Sequence, residues 1–431
     1  MDEGRLVRST VLAMASAFRF QGSRDILVEA LHAFLGLDPE DAMPTAERLG
    51  EGVVARPRAV ISWNAASTKA EQLARLGYTR QYRFAVMPSR NQPRWLLPLT
   101  SDRRAIDGFE LYTPYSRVTR LMKALVVQVR ATGWEGWVRH SVLVAARAPL
   151  PIEKLAREVT GDKNITFALS LGTPGSVQKL TVQVMRSDGT ILGYLKIPLK
   201  SAAEQRLRHE ADVVQKLHSF PKLRAHIPRL LFAGLWDGRY VVFQSAVDGE
   251  PGPVHLTQLH EEFLEVLQGC ELVMLPGRRL IQTIGHRWES VAPLLGTNWQ
   301  RLGREALGIA SRELDSAQIA CGAQHGDFAP WNTRVHPKGL MVFDWESAAW
   351  DAPVLWDRFH FLAQTECHLN VHHIESRAAD LREANRAVYL LYLLSSVVQL
   401  SEEKTETFSL KYREEQLRKH ISEPAQSIVA D

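Results

Sequence analysis

Cysteine is scarce in this chain of 431 residues, which contains only Cys270, Cys321 and Cys367. Their number is odd and no two of them share a C-x-x-C spacing, so neither a disulfide framework nor a cysteine-based zinc site is expected. Thiols without such roles are typical of a reducing compartment. The cysteine content therefore predicts a cytoplasmic location.

Long apolar runs and dense basic runs are also lacking. The apolar segment Tyr389–Leu400 is too short to cross a bilayer and predicts a buried helix. Residues 1–150 carry 21 Lys and Arg against 14 Asp and Glu, without the clustering of a nucleic-acid-binding arm. This excess indicates either a surface for an anionic partner or a solvated face rich in arginine. Neither membrane insertion nor nucleic-acid binding is expected.

The overall composition is that of a folded protein, with 45% hydrophobic and 23% charged residues. The length exceeds what one ordinary hydrophobic core supports, which predicts more than one compact part. Residues 1–150 predict a small α+β domain of unassigned role, which is a candidate for oligomerisation or partner binding. Its predicted elements are a helical region to about residue 55 with Ile26, Leu27, Ala30, Leu31 and Phe34 on one face, strands at Arg83–Met87, Trp95–Leu99 and Phe109–Tyr112, and a helix at Ser116–Thr132.

From about residue 160 the pattern predicts a five-stranded antiparallel sheet with one helix. Asp237-Gly238 is a strong signal for a two-residue hairpin. Ser201, followed three residues later by Glu204, predicts a capping box at the start of the helix, which runs to about Leu217. The predicted strands are Ile165–Leu171, Lys179–Met185, Ile191–Leu199, Arg229–Leu235 and Arg239–Phe243. Beyond Gly252 the pattern is mainly helical.

One segment in the helical part combines the groups that phosphoryl transfer requires. A loop from His325 to Asn332 contains Asp327, and a turn and an apolar strand that ends at Asp344 follow it. The reaction needs a carboxylate to receive the proton of the attacking hydroxyl, and an amide with a second carboxylate to hold Mg²⁺. We expect the hairpin to fold Asp344 back over the other two residues.

Two neighbours of these residues, Glu346 and His325, allow more than one role. Glu346 either adds a carboxylate to the metal site or caps the hairpin. His325 is expected to brace the loop by hydrogen bonds instead of carrying a proton.

Lys196 lies in the middle of the otherwise apolar third strand of the predicted sheet. On its own, such a lysine is typical of an edge strand with its ammonium in water. Glu210, however, shares a helix face with Leu207 and Val214, so its carboxylate should point inward. A strand lysine paired with an inward glutamate is the arrangement that holds nucleotide phosphates in kinases.

These motifs give residues 160–365 a resemblance to the aminoglycoside phosphotransferase and choline kinase branch of the protein-kinase-like fold. The loop from His325 to Asn332 resembles the catalytic loop of that family, and Phe343-Asp344-Trp345-Glu346 resembles its metal-binding strand end. The resemblance implies an α+β, bilobed fold with a five-stranded antiparallel N-lobe sheet (151–247) and a helical C-lobe with the acceptor site (248–431).

The resemblance also implies roles for single residues. Asp327 becomes the catalytic base, and Asn332 and Asp344 become Mg²⁺ ligands. Lys196 contacts the nucleotide phosphates and Glu210 orients it. Asp357, at the start of the helix after the metal strand, becomes a structural brace.

The nucleotide-binding loop and the hinge are less well matched. Gly172, Gly175 and Ser176 form a Gly-rich turn ahead of Lys196, but the turn contains a proline that removes an amide donor. By analogy with the hinge between lobes, Gln244 and Ala246 are expected to supply main-chain contacts to the base.

Together these features predict a phosphotransferase that moves the γ-phosphoryl group of ATP or GTP, with Mg²⁺, to a hydroxyl of a small molecule. A sugar, an aminoglycoside-like compound and an amino alcohol remain open as acceptors. The alternative is a catalytically weak nucleotide-binding pseudokinase that acts as a scaffold or regulator. A protein kinase is not favoured, because no A-P-E motif follows the metal strand.

Overall fold

The structure is a computed structural model, and part of the chain is described by it. The described residues are 24–36, 42–44, 58–64, 67–89, 91–99, 107–111, 113–115, 120–121, 123–125, 127–128, 138, 140–371, 381–383, 385–403 and 407–422. They form two compact units. The first runs through Asp212 and takes in Pro228–Val247, and the second consists of Val213–Ile227 and the chain from Asp248 onward.

The first unit contains one large sheet with helices, and its last helix continues past Asp212 into the residues of the second unit. Its elements are α1 (Arg24–Leu35), β1 (Ala42–Pro44), β2 (Ala59–Trp63), α2 (Ser67–Arg75), β3 (Arg80–Pro88), β4 (Pro93–Pro98), β5 (Ser141–Ala146), α3 (Pro151–Thr160), β6 (Ile165–Ser170), β7 (Lys179–Arg186), β8 (Ile191–Pro198), the helix α4 (Ser201–Leu217), β9 (Leu230–Trp236) and β10 (Arg239–Ser245). The strand order is β1-β2-β5-β3-β4-β6-β7-β8-β10-β9. All neighbours pair antiparallel except β1 with β2.

The predicted α+β class is confirmed, as are the five antiparallel strands that the sequence indicated after residue 160. The turn between β9 and β10 has positive φ angles at Asp237 (49°) and Gly238 (70°), as a two-residue hairpin requires. The same sheet continues through the pairing of β4 with β6 into strands of the first 150 residues. The division of the chain at residue 150 stays a prediction.

The elements predicted in the first 150 residues differ in their agreement with the structure. The predicted helix is confirmed as α1, in which Leu27, Ala30, Leu31 and Phe34 are buried, and the two strands at 83–87 and 95–99 correspond to β3 and β4. The predicted strand at Phe109–Tyr112 is wrong, because Asp107–Leu111 forms a 3₁₀ turn. There Gly108 lies so close to Pro98 and Ala168 that a β-carbon would be 3.0 Å from each.

Other predictions in this region lie partly outside the described residues. Most of residues 1–55 and Tyr112 lie outside the described residues. Within 116–132, where a helix was predicted, the described residues are helical. Strands β2 and β5 were not predicted.

The start of α4 also departs from the prediction. The backbone N–H of Glu204 donates to the carbonyl of Lys200, so Lys200 holds the cap position and Ser201 is already the first helical residue. The carboxylate of Glu204 accepts from Arg208 at 2.7 Å. The predicted end of the helix at Leu217 is confirmed.

The second unit is mainly helical, with two small sheets. Its further elements are β11 (Glu250–Pro251), α5 (Gln258–Gln268), β12 (Val273–Pro276), α6 (Gly277–Leu295), α7 (Thr297–Leu314), β13 (Gln318–Gln324), β14 (Thr333–His336), β15 (Gly339–Val342), β16 (Ala349–Pro353), α8 (Trp356–Leu369), α9 (Arg386–Glu402) and α10 (Thr407–Ser422). The sheets have the orders β11-β14-β15 and β12-β13-β16. Helix α9 is buried along most of its length, as predicted for Tyr389–Leu400. Among the described helices, none combines the length and apolarity that a membrane span needs.

Phe34 on α1 ties two parts of the large sheet together. Its ring meets Phe84 of β3 at 5.9 Å and Phe167 of β6 at 5.3 Å, in edge-to-face contacts. All three rings are fully buried in one core that extends to Phe243 of β10. The core of the first unit is therefore built from residues on both sides of position 150.

We expect Phe34→Ala to lower the free energy of unfolding by about 3–5 kcal/mol, because it removes a fully buried ring and leaves a cavity. The measurement is chemical denaturation followed by circular dichroism. Phe408→Ala is the matched control, since Phe408 is 57% exposed; it should change stability by no more than about 0.5 kcal/mol. Equal effects of the two changes would contradict the described core.

Candidate functional site

Lys196 and Glu210 form a buried ion pair in the first unit. Lys196 lies on β8, which has β7 on one side and β10 on the other, so the edge-strand alternative for this lysine is wrong. Its Nζ is 2.5 Å from Oε1 of Glu210, and the two residues are only 7% and 0% exposed. Because a buried charge is costly without a partner, each group depends on the other. The predicted pairing is confirmed.

Gln244 adds a hydrogen bond to this pair. Its Nε2 donates to the same Oε1 of Glu210 at 3.1 Å, and its side chain is buried. In the sheet, Gln244 pairs with Tyr194 of β8. The side chain thus stabilises the glutamate, a role that the sequence did not indicate. Main-chain contacts of Gln244 and Ala246 to a base stay a prediction.

The Gly-rich turn lies between β6 and β7 and is tied down at its base. Gly172 has a φ of 65°, and a β-carbon there would lie 2.6 Å from the carbonyl oxygen of Lys179. Its carbonyl accepts from Arg94 at 2.7 Å, and the side chain of Gln178 donates to the carbonyl of Leu171 at 2.9 Å. The turn therefore requires glycine at 172. The assignment of Gly172, Gly175 and Ser176 to phosphate binding stays a prediction.

In the second unit the loop after β13 is anchored by one carboxylate. Asp357, at the start of α8, accepts the N–H of His325 at 2.8 Å with one oxygen and the N–H of Gly326 at 2.9 Å with the other. Gly326 has a φ of 79°, and a β-carbon there would lie 2.1 Å from the carbonyl oxygen of Ser347. The loop thus depends on glycine at 326 and on an acid at 357. The predicted bracing role of Asp357 is confirmed.

His325 is buried and links the loop to the strand end that carries Asp344. Its Nδ1 lies 3.2 Å from the N–H of Asp327, and its Nε2 lies 3.0 Å from the carbonyl of Phe343. A backbone N–H can only donate and a carbonyl can only accept, so the proton of the neutral ring is on Nε2. Both nitrogens are used in the fold, which confirms the predicted bracing role.

Asp327 and Asn332 are in direct contact. The Nδ2 of Asn332 donates to the carbonyl of Asp327 at 2.8 Å and to its Oδ2 at 2.9 Å. These two bonds use both protons of the amide nitrogen. The amide oxygen of Asn332 is consequently the atom with which this side chain can coordinate a cation.

Asp344 follows the hairpin of β14 and β15 and has a positive φ of 71°. The hairpin pairs Thr333 with Val342, and the N–H of Phe343 donates to the carbonyl of Asn332 at 3.1 Å. Through these contacts the backbone of Phe343, the residue before Asp344, lies beside Asn332. A carboxylate oxygen of Asp344 and one of Glu346 lie within 4.8 Å of each other.

Oxygen donors of this kind fit a magnesium ion. Mg²⁺ prefers a small number of carboxylate ligands with water and phosphate oxygens completing its shell. The carboxylates of Asp344 and Glu346, and the amide oxygen of Asn332 nearby along the hairpin, are chemically suited to it. The donor set contains no sulfur or imidazole that would favour a softer metal.

Aromatic side chains form an apolar floor under the loop. Phe328 is fully buried and its ring stacks parallel to that of Phe263 at 6.1 Å. His260 packs its edge against Phe328 and Phe361, and burial lowers its pKa to about 4. At neutral pH the ring of His260 is therefore uncharged and packs as part of the core.

The sequence did not indicate one residue at this site, His360 of α8. Its Nε2 lies 3.0 Å from Oδ1 of Asp327. His360 is three residues after Asp357, so the two share a helix face. That spacing was the available signal, and nothing in a single sequence distinguished it from an ordinary core position.

The predicted site residues therefore form two groups, one in each unit. Lys196, Glu210 and Gln244 come together in the first unit. In the second unit Asp327 touches Asn332, and Asp344 lies next to Glu346 on the paired strand end.

Comparisons with known proteins give a likeness to solved structures. The chain is similar to a thermostable mutant of the aminoglycoside phosphotransferase APH(4)-Ia in ternary complex with ADP and hygromycin B, with 14% identity, a TM-score of 0.44, and coverage of 64% of this chain and 99% of that one. No protein-family model and no curated protein matches it.

Two further structures illustrate the range of similarity. One is the choline kinase LicA from Streptococcus pneumoniae, with 12% identity, a TM-score of 0.40, and coverage of 63% and 98%. The other is the GDP complex of wild-type aminoglycoside 2'-phosphotransferase-IIIa, with 13% identity, a TM-score of 0.41, and coverage of 62% and 96%. These proteins are of the kinds that the motifs resemble, and at such identities the likeness specifies no activity for this chain.

We expect Glu210→Gln to lower the free energy of unfolding by about 3 kcal/mol, because it leaves the buried ammonium of Lys196 without a counter-charge. Urea denaturation measures the effect. Glu204→Gln, on the same helix, is the matched control. Its partner Arg208 is 47% exposed in its side chain, so the change should cost less than about 1 kcal/mol. A loss no larger in Glu210→Gln than in Glu204→Gln would contradict the buried pair.

Proposed function

We propose that this protein is a Mg²⁺-dependent phosphotransferase that moves the γ-phosphoryl group of a nucleoside triphosphate to a hydroxyl of a small molecule. The observation that carries the proposal is the arrangement around Asp327. Its carboxylate is contacted by Asn332 on one oxygen and by His360 on the other, in a loop that Asp357 anchors by two backbone hydrogen bonds. A fixed carboxylate beside a cation-binding amide is what phosphoryl transfer asks of a protein.

Asp327 would act as the base. As the oxygen of the acceptor hydroxyl bonds to the γ-phosphorus, the bond from that phosphorus to the leaving nucleoside diphosphate breaks. The hydroxyl proton passes to the carboxylate of Asp327, whose side chain is 35% exposed and so can be reached by an acceptor.

Asn332 and Asp344 would hold the metal, with Glu346 as a further carboxylate. The proximity of Asp344 to Glu346 supports this assignment of Glu346 over a purely capping role. When bound, Mg²⁺ neutralises charge on the phosphate oxygens. The residues of this chain supply the oxygen atoms and hold them on a hydrogen-bonded hairpin.

Lys196 would contact the nucleotide phosphates, with Glu210 and Gln244 fixing its position. Three features support this role: the ammonium is buried, it is paired, and it is carried by a central strand. The turn with Gly172, Gly175 and Ser176 would approach the phosphates, and the backbone of Gln244 and Ala246 the base. We propose ATP or GTP as the donor.

The acceptor is proposed only as a class, a small molecule with a free hydroxyl. A sugar, an aminoglycoside-like compound and an amino alcohol are the candidates. The acceptor site is proposed for the second unit, where Asp327 lies. The cytoplasmic location, and a role of residues 1–150 in oligomerisation or partner binding, stay predictions.

Asp327→Asn and Asp344→Asn should separate turnover from binding. We expect Asp327→Asn to bind Mg-nucleotide as the wild type does and to lose about 10²- to 10⁴-fold in kcat, because it lacks the proton acceptor. Asp344→Asn should weaken Mg-nucleotide binding itself. Calorimetry with a non-hydrolysable triphosphate measures binding, and ³¹P NMR with a panel of hydroxylated acceptors measures transfer.

Asp351→Asn is the control, since Asp351 is an exposed carboxylate on β16. It should match the wild type in both measurements. Equal losses of binding in the two test variants would contradict the assigned roles. If the wild-type protein binds Mg-nucleotide but transfers phosphate neither to an acceptor hydroxyl nor to water, the result would instead support the scaffold alternative.

A further inference from the structure

His360 is a side chain on α8 that contacts the proposed base. It lies one helical turn after Asp357, and its Nε2 is 3.0 Å from Oδ1 of Asp327. Asn332 occupies the other carboxylate oxygen, Oδ2. The two oxygens of Asp327 are therefore held from two directions, by one residue of the catalytic loop and one of a separate helix.

A second residue contacts the other ring nitrogen of His360, Nδ1. The hydroxyl of Tyr392, on α9, lies 3.4 Å from Nδ1 of His360. Tyr392 is buried in the helical core of the second unit. Two side chains on separate helices thus connect in order, from Tyr392 of α9 to His360 of α8 and on to Asp327.

The chemistry of these groups fixes the direction of the hydrogen bonds. Asp327, as the proposed base, is a carboxylate and can only accept, so the proton between it and His360 is on Nε2 of the ring. In the neutral ring Nδ1 is then an acceptor, and the hydroxyl of Tyr392 donates to it. Burial raises the pKa of Tyr392, which keeps this hydroxyl proton in place at neutral pH.

Gln364 also contacts this nitrogen. Its amide nitrogen lies 2.9 Å from Nε2 of His360, and two N–H groups cannot donate to each other. The oxygen and nitrogen of a glutamine amide exchange places by a half turn of the side chain, and the hydrogen-bond network decides between the two orientations. With a proton on Nε2 of His360, the amide oxygen of Gln364 faces the ring.

We propose that His360, held in the Nε2–H tautomer by Tyr392, is a positioning residue for Asp327. This inference rests on the proposed function, in which Asp327 is the base. A carboxylate attached to a loop rotates about its side-chain bonds unless both oxygens are held. The donor from His360 keeps Oδ1 in place while Asn332 keeps Oδ2, so that the lone pair that receives the hydroxyl proton keeps one direction.

The first test replaces the donor. His360→Phe keeps a ring and removes the N–H, and we expect kcat to fall about 10- to 100-fold while the Kd for Mg-nucleotide is unchanged. His360→Gln places an amide N–H near the position of Nε2 and should restore most of kcat. A wild-type kcat in His360→Phe, or an equal loss in His360→Gln, would overturn the proposal.

The second test removes one hydroxyl group from the helix that supports His360. Tyr392→Phe removes the proton that holds Nδ1 and should lower kcat several-fold. Tyr389→Phe is the matched control. Tyr389 is one turn earlier on α9, is equally buried, and donates to Gln416 at 3.2 Å. The control Tyr389→Phe should leave kcat unchanged. Equal losses of kcat in Tyr392→Phe and Tyr389→Phe would overturn the proposal.

A spectroscopic measurement needs no turnover. The ¹⁵N NMR shifts of His360 should report a proton on Nε2 in the wild type and a mixture of tautomers in Tyr392→Phe. A proton on Nδ1 in the wild type would overturn the proposal. If no acceptor is phosphorylated at all, the proposed function fails, while the tautomer of His360 still decides whether the hydrogen bonds run as described.

Discussion

One buried carboxylate sets the position of the proposed chemistry in the second unit. Asp357 accepts the N–H groups of His325 and Gly326, one with each oxygen. If either of these backbone N–H groups lost its buried acceptor, the fold would lose about 1–3 kcal/mol. The two hydrogen bonds therefore favour one conformation of the loop. His325, fixed in this way, reaches the carbonyl of Phe343. The same anchor therefore positions the loop with Asp327 and the strand end with Asp344.

Much of the fold was predictable from local signals, and the exceptions have physical causes. The strands after residue 160 are separated by turn residues such as Asp237-Gly238, whose conformations few other residues adopt, and the sequence of Lys179–Met185 alternates between polar and apolar residues. Strand β5 is buried on both faces, so it has no alternation to recognise. The 3₁₀ turn at Asp107–Leu111 depends on how closely Gly108 approaches the sheet, and that is a tertiary contact.

The candidate site was predictable where a motif fixes residues close together in sequence. Asp327 and Asn332 are five residues apart, and their contact follows from a tight loop. The pairing of Lys196 with Glu210 followed from helix periodicity, which predicts an inward carboxylate. The contacts of Gln244 with Glu210 and of His360 with Asp327 join residues 33 or more positions apart. Such long-range contacts leave no local pattern, so only a structure reveals them.

The account depends most directly on the anchor at residue 357. Amide hydrogen exchange at His325 and Gly326, measured together with phosphoryl transfer in the wild type and in Asp357→Asn, tests it. The asparagine has one acceptor oxygen in place of two, so at least one of the two amides should lose protection and kcat should fall by about 10-fold or more. Unchanged protection of both amides with unchanged turnover would contradict the claim that Asp357 holds the catalytic loop.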